Sequence, residues 1–160
     1  MPRLMFVHLM GSHAVPFYRY PPTRAIYPRY EGDFPPGFED ASPPMGYAVI
    51  DTYDNSIAFT DSFLGDVLER LKRMHRPVFL VYFSDHGETP RSPNWRCPAD
   101  PDLMAVPLVV WLSAEYRATF PNVVAEIEAM ASKPLRLDRL QSILLPLARV
   151  VHSDFGRPAN

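Results

Sequence analysis

Two kinds of hydrophobic pattern alternate along the chain. Residues 3 to 9, Arg-Leu-Met-Phe-Val-His-Leu, are a short apolar run rich in β-formers and stopped by Gly11, which predicts a buried strand. From about Tyr47 to His75 the spacing changes to three- and four-residue steps. Ile50, Tyr53, Ile57, Leu64, Val67, Leu68, Leu71 and Met74 share one face, with Asp51, Asp61, Asp66, Glu69, Lys72 and Arg73 on the other. This predicts a long amphipathic helix, ended before Pro77. Val78 to Phe83 reads as a second buried strand, stopped by Ser84-Asp85-His86-Gly87, and Val106 to Leu112 as a third, with Pro107 tolerated near its start. Two shorter helices come after it, about Val123 to Ala131 and Leu137 to Val151, the second kinked near Pro146.

Between these elements the periodicity disappears. Eight prolines from Pro16 to Pro44 are interleaved with Tyr18, Tyr20, Tyr27 and Tyr30, so residues 16–46 are expected to form a long Pro/Tyr-rich loop, and residues 89–104 an irregular one. A structureless connection of that length in a compact domain usually covers or builds a site. The order of elements is α/β. Fully apolar strands argue for a mostly parallel sheet flanked by helices, and residues 1–160 for a single domain without repeats or a linker. Three strands are few for so many apolar faces, and the first begins almost at Met1, so the sheet is expected to be incomplete on its N-terminal side.

The 160 residues are 47% hydrophobic and 21% charged, enough to bury a core. Sixteen Lys+Arg against 18 Asp+Glu give a net charge of -2, so nucleic acid is not an expected partner. No stretch approaches the roughly 18 apolar residues of a membrane span, and no signal-peptide pattern opens the chain. Cys97 is the single cysteine, which excludes an internal disulfide. Fourteen of the sixteen basic residues are arginine, compatible with anion recognition and equally with genome composition.

In open α/β sheets ligands gather beyond the carboxyl ends of strands. That rule selects Gly11-Ser12-His13 and Asp85-His86-Gly87-Glu88. A carboxylate and an imidazole side by side suit Zn2+, or Mn2+ as the alternative, at about 2 Å from each donor. The ordinary reading of Asp-His-Gly is a turn with an Asx hydrogen bond, and Glu88 is then a cap for the next stretch of chain. His75 and His152 read as surface or helix-end residues, and Trp111 as core.

Four blocks, in order, resemble the phosphoethanolamine transferases of the sulfatase and alkaline phosphatase-like superfamily. They are Val7-His8-Leu9-Met10-Gly11-Ser12-His13 with Arg19-Tyr20-Pro21, Tyr53-Asp54-Asn55-Ser56-Ile57 with Thr60-Asp61, Tyr82-Phe83-Ser84-Asp85-His86-Gly87-Glu88, and Val106 to Ser113. The resemblance implies an alkaline phosphatase-like fold on the periplasmic side of the bacterial inner membrane. There, a threonine nucleophile beside zinc takes phosphoethanolamine from phosphatidylethanolamine and passes it to lipid A or another glycolipid. It further implies that Asp85 and His86 are zinc ligands and that His13 lies beside the transferred phosphoryl group. Arg19 and Tyr20 could border the lipid head group.

In the family the nucleophile and an acidic zinc ligand lie upstream of the Gly-Ser-His block, a further histidine comes after Asp-His-Gly, and paired cysteines brace many members. Residues 87 to 104 hold no histidine, and Thr52, Thr60 and Thr89 read as ordinary threonines, not replacement nucleophiles. The chain is therefore expected to be the C-terminal part of a catalytic domain that does not turn over alone. A sulfatase- or phosphatase-type hydrolase and a non-catalytic remnant are the competing readings, and oligomeric state is not legible.

Overall fold

A computed structural model describes residues 3–13, 16–28, 45–88, 103–131 and 133–150, with backbone only over 45–48. The expected helix is α1, Met45–Lys72, and the strands are β1, Phe79–Phe83, and β2, Leu108–Leu112. Three helices close the order: α2, Ala114–Thr119; α3, Pro121–Ala131; and α4, Gln141–Ala148. Thr89 to Asp102, which hold most of the second loop and Cys97, lie outside the described residues, as do residues 29–44 of the Pro/Tyr-rich loop and His152.

The chain divides into two compact units. The first comprises Met1–Phe6, Leu71–Tyr82 and Leu108–Asn160. Its core is a buried cluster of Leu112, Tyr116, Val124, Ile127, Ile143 and Leu147, against which Phe79, Val81, Leu108 and Val110 pack. Alternate residues of both strands thus face one side, as the two-residue period of a pleated sheet requires. Val109, on the other face, stays half exposed.

The β1–β2 pair is the one sheet among the described residues, and it does not confirm the expected mostly parallel sheet. It runs antiparallel. The Ser113 amide donates to the Val78 carbonyl at 3.0 Å at one end, and beyond the other end the Gly87 amide donates to Leu103 at 2.8 Å. Uniform apolarity misled here because one face is packed and the other only partly covered, whereas the parallel reading assumed two packed faces.

Ser113 joins strand to helix. Its hydroxyl oxygen accepts from the Tyr116 amide at 3.0 Å, capping α2, and from Val78 at 3.2 Å, while its proton goes to the Arg76 carbonyl at 3.1 Å. Helix α2 was not expected; its six residues are too few to show a period. The last predicted helix is shorter than expected: a turn at Leu137–Arg139 precedes α4, which ends two residues after Pro146 at a left-handed Arg149.

The second unit comprises Val7–Arg70 and Phe83–Pro107 and carries the candidate site. Two expectations fail. Residues 3 to 10 form no strand and are exposed at Leu4, Met5, Phe6 and Val7, because no strand pairs with their backbone among the described residues. In α1 the buried stripe is Val49, Thr52, Asn55 and Ser56, while Ile57, assigned to the apolar face, is exposed. Polar side chains at three- and four-residue spacing occupy the inner face in that part of the helix.

Candidate functional site

Three short segments build the site within the second unit. The first is a turn in which the His13 amide donates to the Met10 carbonyl at 3.1 Å. Gly11 stands in it at φ +51, a region that side-chain-bearing residues seldom adopt, so glycine is the residue that lets the chain reverse there. The Arg19 Nε donates to the His13 carbonyl at 3.0 Å and ties the turn to the loop beyond it.

The second segment is the tip after β1. Ser84 Oγ donates to the His86 carbonyl at 2.7 Å, and the His86 amide donates to Asp85 Oδ1 at 3.1 Å. The Gly87 amide, bonded to Leu103 in the third segment, anchors the far side. His86 Nδ1 lies 2.7 Å from the Gly87 carbonyl. A carbonyl only accepts, so this contact places the ring proton on Nδ1 and leaves the lone pair on Nε2. That is the arrangement in which metal-binding histidines are commonly held, the other ring N–H donating to a backbone carbonyl.

The structure brings His13 to this tip. The His13 and His86 rings stand 6.3 Å apart at 78°, and His13 Nδ1 lies 3.8 Å from Glu88 Oε1. Asp85 points outward with its side chain 85% exposed, whereas that of Glu88 is only 6% exposed. Both Glu88 carboxylate oxygens are buried without a hydrogen-bond partner among the described residues. His13 does not come after a strand, as expected, but after an irregular segment, so its position is fixed by the turn and by Arg19.

The donor set fits a zinc ion in part. Asp85 Oδ2 and His86 Nε2 are 4.0 Å apart. Two bonds of about 2 Å at a tetrahedral angle need donors about 3.3 Å apart, so the pair must close by less than an ångström. The exposed Asp85 side chain is free to make that movement. No group of three His, Cys, Asp or Glu side chains poised to hold a metal occurs among the described residues. The bond from the His86 amide falls on Oδ1; it joins adjacent residues and does not close the Asx turn of the ordinary reading, whose bond reaches two residues on, and it leaves Oδ2 for a ligand.

Sequence reasoning passed over two residues. Glu88 reads from the sequence as a cap for the next stretch of chain, and its enclosure is a property of packing alone. Asn55 carried no role, although it is fully buried and bonded to the loop at Ile26 and Tyr27. Its signal was a run of small polar residues, Thr52, Asn55 and Ser56, at helical spacing. Of the threonines, Thr52 is buried within α1 with its hydroxyl unbonded among the described residues, Thr60 Oγ1 donates to the Ser56 carbonyl one turn back at 3.0 Å, and Thr89 lies outside the described residues.

Comparison with known proteins adds a family. The profile of the family described as Sulfatase matches residues 1–144, and that family implies an alkaline phosphatase-like α/β fold, with which the helices and strands agree. The chain is 31% identical over 127 residues to "Phosphoethanolamine transferase EptC" of Escherichia coli (strain K12), covering 75% of this chain and 21% of that protein. It is 31% identical over 126 residues to "Kdo(2)-lipid A phosphoethanolamine 7''-transferase" of Salmonella typhimurium (strain LT2), covering 72% and 20%. Against "Phosphoethanolamine transferase EptA" of the same Salmonella strain it is 29% identical over 159 residues, covering 92% and 28%. The chain thus spans between 20% and 28% of the length of these relatives. No solved structure matches.

Proposed function

The chain belongs to the Sulfatase family, and from that premise we propose that it forms the metal-binding and phosphoryl-facing part of a zinc-dependent phosphoethanolamine transferase. The donor in this reading is phosphatidylethanolamine and the acceptor lipid A or a related glycolipid. The names of the relatives support transfer of phosphoethanolamine over hydrolysis. Activity belongs to a protein of the relatives' length, working on the outer face of the inner membrane; among the described residues no helix is long and apolar enough to cross a membrane.

The observation that carries the reading is the approach of His13 to the Asp85/His86 tip, from segments more than 70 residues apart in sequence, to a ring separation of 6.3 Å. Asp85 and His86 would hold the zinc. When bound, the ion supplies positive charge that offsets the charge gathering on phosphoryl oxygens. Gly87 keeps the His86 proton on Nδ1, so that Nε2 is the donor. His13, whose side chain is partly exposed, presents an imidazole that would donate to a phosphoryl oxygen or to the leaving oxygen. Glu88 sits behind that ring.

Zinc calorimetry on the 160-residue chain tests the site. Two protein donors hold zinc less firmly than three or four. Weak, single-site binding is expected, abolished by Asp85→Ala and by His86→Ala. Tight stoichiometric binding that survives Asp85→Ala would remove the proposed site.

A further inference from the structure

Asn55 uses its whole side-chain amide on one loop. Oδ1 accepts from the backbone amides of Ile26 at 2.8 Å and Tyr27 at 2.9 Å. Nδ2 donates to the Tyr27 carbonyl at 3.3 Å and to Tyr20 Oη at 3.4 Å. Two acceptor and two donor positions are all that a primary amide has, so its capacity is filled, and neither its mirror orientation nor another residue type reproduces the set. The residue is 0% exposed. A buried amide in mid-helix that bonds nothing of its own helix contributes little to α1; what it organises is the segment from Tyr20 to Tyr27.

That segment has little else to order it. Apart from one turn at Pro22–Arg24 it forms no regular structure, and Ile26 and Tyr27 are exposed. Consecutive amides at 26 and 27 pointing at one oxygen have no sheet or helix partner to replace it. The segment begins directly after Arg19, whose Nε donates to the His13 carbonyl. Tyr20, next to Arg19, is itself buried and holds the near end of the Asn55 bonds.

We propose that Asn55 is a positioning residue that acts through the loop of residues 20–27 and Arg19 to fix His13 at the site. Helix α1 is the rigid member, Asn55 clamps the loop to it, and the clamped loop holds Arg19 where its Nε meets the His13 carbonyl. The consequence for phosphoryl transfer rests on the role proposed for His13. The connection itself does not, and it stands without metal or substrate.

The experiment monitors backbone amide exchange and histidine ring signals by NMR in the full 160-residue chain. In Asn55→Ala the Ile26 and Tyr27 amides are expected to lose protection by about tenfold or more, and the His13 ring signals to shift and broaden. The His75 ring, in the other unit, is expected to stay in place. In Arg19→Gln the His13 signals are expected to change in the same way while Ile26 and Tyr27 keep their protection. Asn55→Asp, which retains the acceptor oxygen but loses the donors to Tyr27 and Tyr20, serves if the alanine variant does not fold, and is expected to move His13 less than Arg19→Gln. The inference is overturned if His13 is unmoved in Arg19→Gln, or if Asn55→Ala frees the two amides without touching His13. Zinc binding lost in Asp85→Ala alongside either result would leave the functional reading standing.

Discussion

Glu88 is the most costly side chain of the candidate site. Its carboxylate is enclosed, neither oxygen has a hydrogen bond among the described residues, and His13 Nδ1 at 3.8 Å is too distant for one. A buried charge without full compensation costs several kcal/mol, and a neutral isostere avoids most of that. Glu88→Gln is therefore expected to leave stability unchanged or raise it by about 1 kcal/mol, read from the midpoint of urea unfolding. A loss of about 2 kcal/mol would mean instead that its charge holds His13. Asp85, His86 and His13 were legible as candidates because short polar words at the ends of apolar runs stand out. The enclosure of Glu88 was not, since burial depends on what packs over a residue and not on its neighbours in sequence.

Elements were legible where one face is apolar along the whole length, and illegible where the inner face is polar. The C-terminal half of α1 and both strands fall in the first class. The N-terminal half of α1 falls in the second: its inner residues Thr52, Asn55 and Ser56 look like solvent positions, although all three are buried and Asn55 holds the loop at Ile26 and Tyr27. Residues 3 to 9 have the composition of a strand, but strands form by pairing, which no local pattern guarantees. In the first unit Ser113 ties β1, β2 and α2 together. Ser113→Ala is expected to lower stability by about 2 kcal/mol, since it removes a helix cap and leaves two further backbone groups short of a partner. Tyr116 joins α2 to α4 by donating to the Leu147 carbonyl at 2.7 Å. Burial raises its phenol above the usual tyrosine value, an effect that the Arg149 charge partly offsets. A group with a raised folded value favours the folded state fully below its unfolded value, so this contribution should be present below about pH 10 and fall away as the pH rises further. Tyr116→Phe is expected to cost about 1 kcal/mol at neutral pH and to lessen the alkaline loss, measured by urea unfolding across that range. An unchanged alkaline slope would argue against the burial effect.

At the scale of the whole molecule, an apolar run lies in the open. Leu4, Met5, Phe6 and Val7 are all more than half exposed, Phe6 to 76%. Exposed apolar side chains on a backbone outside any sheet favour association. The average mass by sedimentation is expected to rise with concentration, and to rise less in Phe6→Asp; a monomer at all concentrations would contradict this. The family and its α/β class were readable from the chain. The antiparallel β1–β2 pair was not, because apolar strands do not record their direction. The central claim is spatial: a cation held by Asp85 and His86 would lie beside the His13 ring. Titration with Mn2+, whose unpaired electrons broaden nearby proton signals, tests it most directly. Broadening of the His86 and His13 ring signals together at substoichiometric metal, and its loss in Asp85→Ala, is the predicted result. Broadening of His86 while His13 stays sharp, or an effect that persists in Asp85→Ala, would contradict it.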